Sequence, residues 1–365
     1  MDDRAARTDD APAGVRHLVL DADGSTHGRG CSALVAAALR RRGADAESVQ
    51  VPVPAGEPLS AVPAVVEAVT AILRAGGPWR ATDVLHGIGW LPTLGALAAR
   101  QGLPVAPAVA AHLGNGPSPA VAQGGAAAKV ERLAWAAGRS ADLVVLDSRW
   151  AVERAVQQGI PRARIVQATP VAPPVEQPRG WTQHTGPARV LAVGGIGPVA
   201  GTPTLVRALA GLPDVELVVA ARPDAREVQV QAAQRWVEEV CRRWGARPAT
   251  VHLLTPELVD GVDLVVDAGI APGRVADLVT AMAGRRAVVA SGDGSKAEVV
   301  SPATTGELVE PGSWRQLRRR VGSVLDDPFR LEAYGDAGLE RYLAVHTPER
   351  RALVAEEVAA RVARS

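Results

Sequence analysis

Residues 190–210 read VLAVGGIGPVAGTPTLVRALA, a β-branched apolar run, a glycine-rich turn and then apolar residues at helical spacing. A strand that passes through glycines into a helix N-terminus presents free backbone N–H groups, which suit a phosphate. Gly195, Gly197 and Gly201 give G-x-G-x-x-x-G, one residue longer than the dinucleotide fingerprint. The stretch predicts a Rossmann-type unit, and an NAD-type site, a purely structural turn and a nucleotide-sugar site all stay open.

The same alternation of strand and helix patterns runs along the 365-residue chain, which predicts α/β architecture with parallel sheets covered on both faces. Five prolines between Ala168 and Pro187 interrupt it. We therefore expect two Rossmann-like domains that face a central cleft. The predicted segments are a disordered lead-in over 1–14, an N-terminal domain over 15–170, a linker over 171–188, a C-terminal domain over 189–345 and a C-terminal helix over 346–365.

Composition excludes several function classes. The 40 basic and 39 acidic residues are mixed along the chain, so neither nucleic-acid binding nor a polybasic membrane patch is expected. Cys31 and Cys241 lie far apart, which argues against a disulfide framework or a thiolate metal site. No apolar run is long enough to span a membrane, and the N-terminus lacks the order of a signal peptide. We expect a cytoplasmic protein with no metal and no integral membrane segment.

Four segments resemble, in the same order, the family 4 glycosyltransferases of the two-Rossmann-domain GT-B type. They are DVLHGIGWLPTLGALAARQGLPV (83–105), a stretch over 139–171 that ends in ATPV, the glycine loop with its helix (190–221), and AMAGRRAVVASGDGSKAEVV with its continuation (281–317). The resemblance implies a GT-B fold whose C-terminal helix packs back on the N-terminal domain. It also implies retaining transfer of a sugar from a nucleotide-sugar donor to an unknown small-molecule acceptor.

The charged donor-site residues of that family are not matched. Gly195 and Ala200 stand where the family has an Arg and a Lys that neutralise the donor diphosphate, and Pro272 and Thr280 stand where it has two glutamates. Two hypotheses follow: a transferase that works without these groups, or a catalytically inactive pseudo-glycosyltransferase that is a partner or regulator of another enzyme. A third is a coupling enzyme that uses a nucleotide-linked cyclitol or aminosugar.

The resemblance still gives candidates for binding a nucleotide sugar or a nucleotide diphosphate. His112 is the catalytic candidate, because it lies within two residues of a family histidine beside the donor sugar, although a structural histidine is at least as well supported. Glu298 matches a family glutamate, with helix capping as its alternative. The donor-binding candidates are Gly28, Gly30, Gly194, Gly195, Gly197, Arg274, Thr280, Gly294, Ser295 and Glu298.

Overall fold

A computed structural model describes residues 14–22, 31–54, 58–115, 125–181, 186–212, 214–222, 225–270 and 275–364. The N-terminal half forms one six-stranded sheet. Its strands are β1 (Arg16–Ala22), β2 (Asp45–Val51), β3 (Val84–Ile88), β4 (Ala108–Gly114), β5 (Leu143–Leu146) and β6 (Ile165–Gln167). All neighbours are parallel, in the order β2-β1-β3-β4-β5-β6. The predicted parallel architecture is confirmed for this half.

Helices connect these strands. They are α1 (Cys31–Arg41), α2 (Val62–Ala75), α3 (Trp90–Arg100), α4 (Gly125–Ser140) and α5 (Arg149–Gln157). Ser148 caps α5 as its sequence position predicts, since its hydroxyl accepts a hydrogen bond from the N–H of Ala151 at 3.1 Å. The sequence did not predict α4, whose alanine-rich start gives little periodicity, but Trp135 and Ala137 bury its inner face.

The C-terminal half repeats the plan with a second parallel sheet. Its strands are β7 (Ala188–Ala192), β8 (Val215–Ala221), β9 (Thr250–Leu253), β10 (Leu264–Asp267), β11 (Ala287–Ser291) and β12 (Gly306–Val309). They pair in the order β12-β11-β10-β7-β8-β9. This is the order of dinucleotide-binding domains, in which ligands bind where the strand order reverses. Here the reversal lies between β7 and β10.

The helices of this half are α6 (Thr202–Leu209), α7 (Glu227–Trp244), α8 (Pro256–Asp260), α9 (Val275–Ala283), α10 (Lys296–Val299), α11 (Trp314–Leu325), α12 (Pro328–Val345) and α13 (Pro348–Val362). The sequence patterns predict two closing helices, but the structure has three, because α12 was missed. Its buried face includes Gly335 and Gly338, which lower helix propensity. Gly335 is needed there, since a Cβ would lie 2.5 Å from the carbonyl oxygen of Arg285.

Helix α13 crosses back and packs on the N-terminal sheet, as the resemblance implied. Ala355 and Val358 are buried there, and Arg351 donates to Asp147 at 2.6 Å in an ion pair with both side chains about 95% buried. This contact joins the C-terminal end of the chain to the N-terminal domain. No helix among the described residues is long and apolar enough to cross a membrane.

Candidate functional site

The candidate site lies where the carboxyl ends of the two parallel sheets face each other. From the C-terminal domain it receives the loop that joins β7 to α6, defined here as the glycine loop (residues 193–201), and the segments that follow β10 and β11. From the N-terminal domain it receives the start of α5 after β5. This is the edge at which parallel α/β sheets bind ligands.

Close packing against the end of β10 and the residue after it requires two glycines of the glycine loop, Gly194 and Gly201. A Cβ at Gly201 would lie 1.9 Å from the carbonyl oxygen of Ala268, and one at Gly194 would lie 2.8 Å from Asp267 Oδ2. The φ angles fall in the region that favours glycine: Gly194 85°, Gly195 112°, Gly197 138° and Gly201 73°. The loop is therefore pressed onto the end of β10 and onto the carboxylate of Asp267.

Protein oxygens already accept hydrogen bonds from two amides of the glycine loop. The N–H of Gly194 donates to Asp277 Oδ2 at 3.2 Å, and the N–H of Gly197 donates to Thr202 Oγ1 at 3.1 Å. Asp277 is buried in the first turn of α9. A carboxylate of the protein thus occupies a position from which a bound phosphate could accept the hydrogen bond of Gly194.

A buried lysine links β10 to β11 beside the glycine loop. Lys296 Nζ donates to Gly269 O at 2.9 Å and to Ser291 Oγ at 2.7 Å, and lies 3.1 Å from Asp267 Oδ1 and 3.3 Å from Asp293 Oδ1. An ammonium has three N–H donors, so these four oxygens saturate it. Burial raises the pKa of Asp293, against the opposing pull of Lys296. We call Asp267, Lys296 and Asp293 the buried triad.

Sequence inspection missed the buried triad, because its members follow two different strands. Lys296 gave one signal that could have been used, since it is one of only two lysines in a chain rich in arginine. It is also fully buried, which is rare for lysine unless it is paired. The lysine is therefore a structural counter-ion and is not available to a donor phosphate.

Glu298 connects the two domains. Its carboxylate accepts hydrogen bonds from the backbone N–H groups of Arg149 and Trp150 at 2.8 and 3.0 Å, at the first turn of α5. This is a helix-capping role, but the capped helix is α5 of the other domain and not the helix that contains Glu298, and donor contact by Glu298 stays a prediction. Gly294 lies against the same contact, since a Cβ there would lie 3.1 Å from the Trp150 ring.

Comparison with known proteins matches residues 6–170 to the glycosyl transferase 4-like domain. The chain has the GT-B fold, and the stretch that matches the glycosyl transferase 4-like model lies in its N-terminal half. No curated protein matches the sequence at a significant level.

Solved structures with the GT-B fold superpose on nearly the whole chain. Anabaena HepE in complex with UDP and glucose has a TM-score of 0.70 at 17% identity, over 94% of this chain and 99% of that chain. Sucrose-phosphate synthase from Thermosynechococcus elongatus has a TM-score of 0.72 at 20% identity, over 96% and 100%. A glycosyltransferase from Rickettsia africae has a TM-score of 0.70 at 13% identity, over 96% and 100%. At these identities the likeness establishes the shared fold alone.

Two of the other predicted donor-site residues have described side chains that can be placed. The hydroxyl of Thr280 donates a hydrogen bond to Ala276 O at 3.0 Å within α9. Asp277, one turn earlier in α9, is the residue that contacts the glycine loop. Ser295 is fully buried, and its hydroxyl has no hydrogen-bond partner among the described residues. Gly28, Gly30, Pro272 and Arg274 lie outside the described residues. Donor contact at Gly194, Gly195, Gly197, Gly294 and Ser295 stays a prediction.

His112 belongs to a chain of three buried imidazoles on β1, β3 and β4. His17 Nδ1 lies 3.0 Å from His86 Nε2, and His86 Nδ1 lies 2.9 Å from His112 Nε2. Burial lowers the pKa of His17 and, more strongly, that of His86. His86 and His112 line a cavity of about 30 Å³ next to Arg351 of α13, which has room for about two waters and not for a sugar. The structural alternative for His112 accounts for this position.

Proposed function

We propose that this chain is a catalytically inactive pseudo-glycosyltransferase, which retains the GT-B fold and acts as a partner or regulator of another enzyme. One observation carries the proposal: the glycine loop donates its Gly194 amide to Asp277 and rests on the buried triad. In place of a free cation, the predicted diphosphate position has carboxylates of the protein.

Electrostatics explains why these groups oppose donor binding. Asp267 and Asp293 flank the ammonium of Lys296, and the carboxylate of Asp277 accepts the amide of Gly194, so carboxylates lie where a donor phosphate would need cations. A phosphate charge about 4 Å from a carboxylate is repelled by roughly 4 kcal/mol at an effective dielectric constant of about 20. Loss of one transition-state donor costs a further ~3 kcal/mol in enzymes that stabilise an oxyanion. Neither Gly195 nor Ala200 supplies a compensating charge.

Donor turnover tests the proposal. The purified protein would be incubated with UDP-glucose and with GDP-mannose, and nucleotide release would be followed by phosphorus NMR. We expect no release above the rate of a protein-free control. Nucleotide release that depends on the protein would show a working donor site and would contradict the proposal.

The second candidate is the retaining transferase. The glycosyl transferase 4-like match and the solved neighbour bound to UDP and glucose support it. For this function Asp277 would have to leave the amide of Gly194, so that the loop and the N-terminus of α6 could hold the diphosphate. Protein-dependent nucleotide release, with a donor and an unknown acceptor, is the result that would favour it.

A further inference from the structure

An open groove of about 940 Å³ lies at the amino ends of the N-terminal strands, on the edge of the sheet opposite the cleft. The starts of β4 and β5 line it, together with the C-terminal ends of α3 and α13. Its charged lining residues are Arg100, Asp142, Arg164, Arg361 and Arg364. Arg100 pairs with Asp142 and Arg361 with Glu357, so Arg164 and Arg364 supply the excess positive charge, and we call this surface the basic groove.

Chain topology explains why arginines gather at this edge. In a parallel α/β sheet the helices run opposite to the strands, so that their C-terminal ends meet at the amino ends of the strands. Cations are favoured there by the partial negative charge of each helix C-terminus. Arg100 lies in the last turn of α3, Arg139 in that of α4 and Arg361 in that of α13.

Two arginines of the basic groove are held in place by backbone carbonyls. Arg164 Nη1 donates to the carbonyl oxygens of Arg139 and Ala141 at 3.0 and 3.1 Å. Arg361 Nη1 donates to those of Ala163 and Ile165 at 3.4 and 3.2 Å. A guanidinium has five N–H donors, so Arg164 keeps three for a further acceptor, whereas Arg361, which also donates from Nε and Nη2 to Glu357, keeps one. Because the side chains are already ordered, a ligand would lose little of their rotamer entropy on binding.

The groove already pairs its arginines with carboxylates of this chain. Arg100 donates to Asp142, whose carboxylate also accepts from the N–H of Val109, and Arg361 donates to Glu357 at 2.6 Å. Small uncharged residues such as Pro107 also line it. The surface therefore combines guanidinium forks, which match planar carboxylates, with uncharged contacts for the aliphatic parts of Asp and Glu side chains.

We propose that the basic groove binds an Asp- and Glu-rich segment of a partner protein. The excess of arginine gives the charge complementarity, and the open shape admits an extended chain. The groove lies at the far edge of the sheet from the cleft, so this binding does not depend on whether the cleft transfers sugar. It supplies a surface for the partner that the proposed function requires.

Fluorescence anisotropy with a fluorescein-labelled decaglutamate peptide at low salt tests the groove. We expect saturable binding that weakens as salt rises, and that falls by roughly tenfold or more in Arg164→Glu/Arg364→Glu. Arg235→Glu/Arg350→Glu is the matched control, since it reverses two exposed charges outside the groove. If circular dichroism shows that the double variant is unfolded, Arg364→Glu alone would be tested instead. The side chain of Arg364 makes no hydrogen bond among the described residues, so this single change should leave the fold intact.

Three results would overturn the proposal. They are no peptide binding by the native protein, equal losses in the groove and control variants, and binding of inorganic polyphosphate at least as tight as that of the peptide. The last result would show that the groove recognises phosphate groups and not an acidic peptide. Nucleotide release in the cleft assay bears on the proposed function alone, so the two failures are distinguishable.

Discussion

At the scale of single residues, the glycines of the glycine loop differ in how far neighbouring atoms exclude a side chain. Gly201 approaches the Ala268 carbonyl so closely that any side chain would displace β10, whereas a Cβ at Gly197 would meet nothing within 4 Å. Both residues have positive φ. Two glycines of the same motif are therefore required for different reasons, Gly201 by sterics and backbone angle and Gly197 by backbone angle alone. The sequence pattern does not distinguish them.

Replacing Gly201 with Ala should lower the free energy of unfolding by roughly 2–5 kcal/mol, because backbone strain and a steric clash add. Gly197→Ala is the control, with backbone strain but no clash. Urea unfolding followed by circular dichroism would measure both. Equal losses in the two variants would show that the close approach to Ala268 contributes nothing.

Lys296→Met should destabilise the protein by about 3–5 kcal/mol, since it leaves Asp267 and Asp293 buried without their counter-ion. Lys129→Met is the matched control, because Lys129 is exposed on α4, and its change should stay within about 0.5 kcal/mol. Thermal unfolding of both variants checks this. A neutral Lys296→Met would mean that the buried triad does not hold the edge of the sheet together.

At the scale of elements, the sequence predicted what depends on local pattern. The apolar β-branched run at the start of residues 190–210 located β7, and Ser148 located the start of α5. The local sequence pattern did not predict contacts between segments that are distant in the chain. Lys296 follows β11 but reaches Gly269 after β10, and Glu298 caps a helix that lies about 150 residues earlier in the chain. Such pairings arise from sheet order and domain docking, which local periodicity does not encode.

Glu298→Ala should weaken the junction between the domains, because the first turn of α5 loses its carboxylate cap. Caps of this kind contribute about 0.5–2 kcal/mol. Glu153→Ala, on an exposed position of α5, is the control and should be near neutral. Urea unfolding would measure the difference. If both variants lose the same stability, the interdomain cap has no energetic role.

At the scale of the whole molecule, buried polar groups hold α13 and the residues just before it against the N-terminal domain. His346, just before α13, has Nδ1 2.8 Å from the carbonyl oxygen of Pro170, and burial lowers its pKa to about 4. Burial also lowers the pKa of His17 and that of His86. Burial of these side chains in the folded molecule therefore favours the neutral form of histidine.

Stability should fall on acidification from about pH 6.5 towards pH 4. In that window the unfolded chain protonates His346 at its ordinary pKa near 6.5, while the folded state does not, so protons favour unfolding. His346 alone contributes at most about 3 kcal/mol. Thermal unfolding across this range should show a smaller loss in His346→Gln. A native protein as stable at pH 4.5 as at neutral pH would contradict this assignment.

Titration calorimetry with UDP tests the central claim, that carboxylates have replaced the donor-phosphate contacts of the GT-B fold. The native protein should show no binding at about millimolar UDP. Asp277→Asn/Ala200→Lys should gain measurable binding, because it removes the negative charge beside the Gly194 amide and adds a cation without placing a side chain at Gly195, where φ is 112°. Submillimolar binding of UDP by the native protein, unchanged in the double variant, would contradict the account.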